Sequence, residues 1–218
     1  MNSQPRQLDT FLKNIANHTI NIERDDGIFR HIRFSKAGSI DQSFQLTTWP
    51  DHLCISGDMG TFVFSRVPDM FNFFRDRDGT MGINPGYWSE KLQAGAASGH
   101  GLAEEWCGAA FTEAVEEDFA VWAESCDKPD VVVAEVREQI DEDVLIHAHY
   151  EQEAVEAING FNSEHFSFDD FWENRCTRYT YHYLWCCYAI VWGIKQYDET
   201  VLSMAATASQ PKEPSHVV

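Results

Sequence analysis

The sequence predicts an α+β protein, with an N-terminal antiparallel β-meander packed on a C-terminal helical half whose outer face is acidic. Three observations point there. Short β-favouring runs separated by Gly- and Pro-containing turns fill residues 19–65, and helical periodicity takes over after Pro68. The charge is also segregated. Of the net −19, the window Glu104–Glu173 carries 21 acidic side chains against Lys128 and Arg137 alone, while the remaining 14 acids and 14 bases cancel.

Residues 7–17 place Leu8, Phe11, Leu12 and Ile15 on one face, which predicts a short opening helix. Ile20–Ile22 leads into the turn signal Asp25-Asp26-Gly27, and Ile28–Phe34 returns. There Phe29, Ile32 and Phe34 break strict period two, so the register stays open. Phe44, Leu46 and Thr48 alternate cleanly up to Pro50. Leu53–Ile55, the turn Gly57-Asp58-Met59-Gly60 and Thr61–Ser65 complete a meander of four or five strands. Asp69 is placed to cap a short helix carrying Met70, Phe71, Phe73 and Phe74. The glycine-rich stretch 76–103 reads as a functional loop, or as partly helical around Trp88–Leu92.

The acidic window reads as helices. With Phe111 as origin at 100° per residue, Val115, Phe119, Trp122 and Cys126 share one side, and Glu113, Glu116, Glu117 and Glu124 the other. Pro129-Asp130 opens a second helix, with Val132, Val136 and Ile140 inward and Glu135, Glu138, Asp141 and Glu142 outward. A third is expected over Leu145–Ala157. The last, Arg178–Tyr197, is apolar almost all round and therefore central. The predicted organisation is a β-rich half 1–75, the loop 76–103, the acidic helical half 104–202 and a mobile tail 203–218, together one compact domain.

Composition narrows the class. Hydrophobic content of 44% excludes wholesale disorder, and no apolar run reaches the roughly 18–20 residues that span a bilayer. The first residues lack an apolar core, so no secretory signal is expected. Six cysteines without a C-x-x-C pair suggest reduced thiols and a cytoplasmic protein.

Motifs for chemistry are sparse. The turn Ser56–Gly60 could place Asp58 against a metal or polar ligand, although glycines there also serve a hairpin. No phosphate-binding glycine fingerprint and no G-x-S-x-G are present. On one continuous helix Asp143, His147 and Glu151 would align at i, i+4 and i+8, the weak outline of a metal site. No catalytic residues and no cofactor are assigned. An alternative enzyme reading rests on Asp58, His52 and the 76–103 loop, and another on an acidic scaffold or regulatory module. The aromatic run from Trp172 through Tyr179, Tyr181, Tyr183, Trp185, Tyr188 and Trp192 is expected to be core.

The acidic face is the stronger signal. Solvated helices usually mix signs to gain i, i+4 pairs, whereas Glu113–Glu117 and Glu138–Glu142 leave repulsion unrelieved. Carboxylates on neighbouring turns lie about 5–6 Å apart, close to the repeat of phosphates on a nucleic-acid strand. Such a surface repels nucleic acid and suits a groove built of Lys and Arg.

Arg30–Phe34 (RHIRF), Thr48–Arg66 (TWPDHLCISGDMGTFVFSR) with Asp69–Arg75, and Tyr183–Asp198 (containing LWCCYAIVWGIKQYD) resemble a family of uncharacterised proteins encoded by phages and prophages. The resemblance implies a phage accessory protein and brings no catalytic residues with it. Small acidic phage proteins often inhibit host defence complexes such as CRISPR surveillance machinery. The expectation is therefore a non-enzymatic, anti-CRISPR-like counter-defence protein acting in the bacterial cytoplasm. It would engage the basic surface of a host nucleic-acid-binding complex through Glu113, Glu116, Glu117, Glu124, Glu135, Glu138, Asp141 and Glu142.

Overall fold

A computed structural model describes residues 4–94, 103–125 and 127–208 of the chain. It is α+β, with an N-terminal six-stranded antiparallel sheet followed by a predominantly helical half. Two compact units form. One gathers the residues up to 94 with 180–208, and the other comprises 103–179.

In the first unit α1 (Gln4–Asn14) precedes β1 (Thr19–Asp26), β2 (Phe29–Ser35), β3 (Phe44–Trp49), β4 (His52–Gly57) and β5 (Gly60–Ser65). After α2 (Met70–Phe74) and α3 (Pro85–Ser89), β6 (Leu92–Ala94) adds itself to β5, so the sheet order follows the chain. The sixth strand and α3 both come from the segment expected to be a loop; α3 starts on an Asn84 cap, earlier than the helix expected there. Residues 95–102 of that segment lie outside the described residues.

One face of the sheet is a dry core of Ile32, Phe34, Phe44, Leu46, Leu53, Ile55, Phe62 and Phe64. The long helix α7 (Tyr181–Ala208) covers it, with Trp185 edge-on to Phe44 at 5.7 Å and Trp192 to Phe34 at 5.5 Å. Gly193 lets the helix come this close, because a methyl group there would lie 2.9 Å from Leu46 Cδ1 and 3.1 Å from Phe34. Phe11 of α1 closes the other side of Trp185 at 5.2 Å. Tyr183 to Val191 are buried without a break, as an all-round apolar helix requires.

Three boundaries differ from expectation. Helix α7 starts at Tyr181, its first turn held by Thr180 Oγ1 accepting the Tyr183 amide at 3.1 Å. Arg178 instead belongs to β8 (Thr177–Tyr179), paired with β7 (Glu104–Trp106). The helix also runs to Ala208, where a mobile tail was expected from 203; residues 209–218 lie outside the described residues.

The strand whose register the sequence left open turns on Arg30. Arg30, Ile32 and Phe34 face inward and Phe29 is left exposed, so a cation takes the first core position of β2. Its guanidinium makes two hydrogen bonds to Asp69 at 2.9 and 3.0 Å and lies 4.5 Å over the Phe71 ring. Asp69 also accepts the Phe71 amide, so it caps α2 as expected. Tyr197 of α7 donates to Asp25 at 2.8 Å beside the same guanidinium. Burial alone would raise the Asp69 carboxyl, but Arg30, the Phe71 amide and the nearby Arg75 hold it below the ordinary carboxylate range.

The second unit consists of the β7–β8 ribbon, α4 (Gly108–Ser125), α5 (Asp130–Asp143) and α6 (Glu151–Gly160) around its own core. Phe111 and Val115 of α4 meet Val136 and Ile140 of α5, with Phe119 and Trp122 half-buried beside them. These are the inward faces read from periodicity, except that Val132 is only half-buried and stands outside this core; Cys126 lies outside the described residues. The helix expected over Leu145–Ala157 is broken. Residues Leu145–His147 form a single 3-10 turn, and Tyr150 is extended before α6 begins.

Distant contacts impose that break. The Trp106 indole donates to the Ala148 carbonyl at 2.9 Å, and Gly108 presses against the same carbonyl, leaving no room for a Cβ. We expect Gly108→Ala to destabilise the chain by about 1–3 kcal/mol, the usual cost of overpacking, read as a lowered urea midpoint at unchanged slope. An unaltered midpoint would mean that the 144–150 turn yields freely. Among the described residues no disulfide forms, and burial pushes the Cys186 and Cys187 thiols well up, as fits cysteines used for packing.

Candidate functional site

The two side chains named in the enzyme alternative, His52 and Asp58, stand at opposite ends of β4. His52 opens β4 and Asp58 follows its last residue, six residues on, which in extended chain is about 20 Å. His52 Nδ1 lies 2.9 Å from the Pro50 carbonyl, and its ring stacks on Trp49 at 5.0 Å. Asp58 accepts the Gln42 amide at 2.8 Å, and its own amide donates to Ser43 at 3.0 Å. The Ser56–Gly60 turn is thus a tight β4–β5 hairpin whose aspartate braces the neighbouring β2–β3 connection.

The metal outline dissolves. Asp143 ends α5, His147 sits in the 3-10 turn and Glu151 opens α6, so the three do not share one helix face. His147 Nδ1 instead lies 3.6 Å from Glu153. Among the described residues no group of three potential ligands converges. No helix among them is long and apolar enough to cross a membrane.

What the second unit does present is carboxylate. Residues 103–179 hold 21 acidic side chains against Lys128, Arg137, Arg175 and Arg178. Three of these four bases are engaged inside the unit. Arg175 pairs with Glu104, and Arg178 donates to Glu105 at 2.9 Å across the β7–β8 ribbon. Arg137 binds Glu116 of α4 and, at 3.1 and 2.7 Å, Asp141 one turn along its own helix, with its guanidinium 5.6 Å over the Phe119 ring. These hydrogen bonds raise the Arg137 pKa, so it stays charged at every accessible pH.

This clamp divides the eight nominated residues. Glu116 and Asp141 are engaged in it, with side chains 39% and 48% exposed. The side chains of Glu113, Glu117, Glu124, Glu135, Glu138 and Glu142 are exposed and, among the described residues, join no hydrogen bond or ion pair. The clamp ties Glu116 of α4 to Arg137 and Asp141 of α5, and on each helix unpaired carboxylates adjoin it in sequence: Glu117 next to Glu116, Glu138 and Glu142 next to Arg137 and Asp141. Beside them Asp118 is half-buried; burial first, then the Glu117 charge, raises its pKa.

Sequence reasoning missed two things. Arg137 enters the sequence reading only as one of two bases in the acidic window, although its i, i+4 spacing to Asp141 is a visible hint. Trp172, assigned to the core, is 68% exposed on a 3-10 turn after Asp170, which holds a left-handed φ of 54°. Tyr181 of the same run is also exposed, whereas Tyr183, Trp185 and Tyr188 are core. Trp172 edges a cavity of about 340 Å³. No protein-family model, no curated protein and no solved structure matches the chain.

Proposed function

We propose that this chain is a non-enzymatic inhibitor that occupies a Lys/Arg-lined nucleic-acid groove on another protein, with its α4–α5 carboxylates standing in for phosphates. The observation that carries the reading is the unpaired state of Glu113, Glu117, Glu138 and Glu142 beside an internal Arg137 clamp. Among the described residues Arg137 bridges the two helices through Glu116 and Asp141 and forms no ion pair with Glu113, Glu117, Glu138 or Glu142. Counterions condensed on such a surface are released when a basic groove replaces them, the gain that nucleic acid itself makes. The family-like blocks in the sheet and α7 suggest a phage or prophage origin, and with it a bacterial defence or DNA-processing complex as target.

The test is capture and displacement. Immobilised full-length protein is incubated with lysate of phage-infected bacteria at low salt, and the retained proteins are challenged with single- and double-stranded nucleic acid. Release by nucleic acid is expected, because both compete for one groove. Retention that nucleic acid leaves untouched would contradict mimicry. An acidic scaffold would instead keep its function after the face is neutralised and lose only solubility.

A further inference from the structure

We propose that the cavity of the second unit receives an apolar or aromatic side chain carried by a Lys/Arg-rich segment of the partner protein. The inference rests on the acidic-surface reading and adds an anchor to it.

Trp106, Phe111, Val155, Ile158, Phe171 and Trp172 supply the apolar lining. About 340 Å³ lies at the small end of ligand cavities, a size suited to one side chain. Its rim does not hide from water. Trp172 is 68% and Val155 48% exposed. Large apolar groups left at the mouth of a concave site mark interaction surfaces, and one buried aromatic anchor commonly dominates an interface. Asn159 and Asn174 sit at the same lining with polar groups for a partner backbone.

Charge selects the occupant. Glu151 lines the cavity, Glu153 and Glu156 are exposed on the same helix, and Glu173 follows Trp172 directly. A neutral small molecule draws nothing from that field. A second copy meeting it through the same unit would bring its own 21 carboxylates against these. A basic segment gains on both counts, because steering by charge precedes burial of the anchor.

The test uses the full chain and two labelled heptapeptides, each with six lysines around a central residue, phenylalanine in one and alanine in the other. Fluorescence anisotropy at fixed salt should show the phenylalanine peptide bound about tenfold tighter, the scale of one well-buried anchor. Trp172→Ala and Val155→Asp alter exposed side chains, so the fold is retained. Each should bring the ratio of the two affinities close to one. Val155→Asp adds a negative charge, so loss of preference there cannot come from weaker attraction.

Equal affinities in the wild type, or a ratio that survives both variants, would overturn the proposal. So would neutral N-acetylphenylalanine amide binding as tightly as the peptide, which would make this a small-molecule site. Dimerisation abolished by Trp172→Ala would overturn it in favour of self-association. The alanine peptide reads the acidic surface alone, and the phenylalanine-to-alanine ratio reads the cavity, so the two ideas fail separately. If neither peptide binds, both fall.

Discussion

Asp69→Ala is expected to cost the fold about 3–5 kcal/mol, because it strands a buried guanidinium and uncaps a helix in one step. Arg30 is only 9% exposed, and after the substitution its nearest carboxylate is Asp25 at 3.9 Å. Arg30→Met should cost less, since the Asp69 side chain remains 22% exposed and retains the Phe71 amide. The double variant Arg30→Met/Asp69→Ala should be markedly less damaged than the sum of the two singles. Removing both partners leaves no uncompensated charge. Urea unfolding of all four proteins gives the cycle, and strict additivity would show that the pair is not coupled.

The same pair sets an acid limb. The folded Asp69 carboxyl lies below its unfolded value of about 3.9, so its contribution is complete above that pH. The contribution is lost as pH falls through the lower folded value, and Asp69→Asn should flatten stability in that range. Arg30 adds no window of its own, because its already high pKa is raised further by its partners.

The largest functional effect is expected from Glu113→Lys/Glu117→Lys/Glu138→Lys/Glu142→Lys. Four attractive contacts become repulsive, and partner affinity should fall about a hundredfold or more. Stability should move little or the other way. The two i, i+4 pairs repel now, at about 0.2–0.5 kcal/mol each, and replacing both members leaves the spacing like-charged but eases the excess around it. A surface whose disruption removes binding while sparing the fold is doing something other than holding the protein together. Circular dichroism and urea midpoints must accompany the binding measurement, and a collapse of stability would remove that distinction.

Much of the fold was legible because it obeys local rules. Clean alternation in Phe44–Thr48, the Gly57–Gly60 hairpin, the Asp69 cap and the inward faces of α4 and α5 all follow from short-range pattern. What escaped depends on partners far along the chain. Alternation in β2 fails only because Arg30 takes a core position that Asp69, 39 residues later, makes tolerable. The break at 144–150 carries no Gly or Pro of its own; Trp106 and Gly108 enforce it from about 40 residues away. Arg178 reads as helix until its strand partner Glu105, 73 residues earlier, is in place. The candidate surface was legible as charge but not as geometry. Which carboxylates remain unpaired was decided by where Arg137 reaches, and the exposure of Trp172 by the left-handed turn at Asp170.

The central claim is that unpaired α4–α5 carboxylates hold a basic partner with release of the cations condensed on them. The most direct measurement is the affinity of the captured partner at a series of salt concentrations, for the wild type and for the four-lysine variant. A steep linear fall of log affinity with log salt is predicted for the wild type, because counterion release scales with the number of contacts. The variant should bind weakly with a slope near zero. A wild-type affinity indifferent to salt, or a variant that binds as the wild type does, would contradict the account.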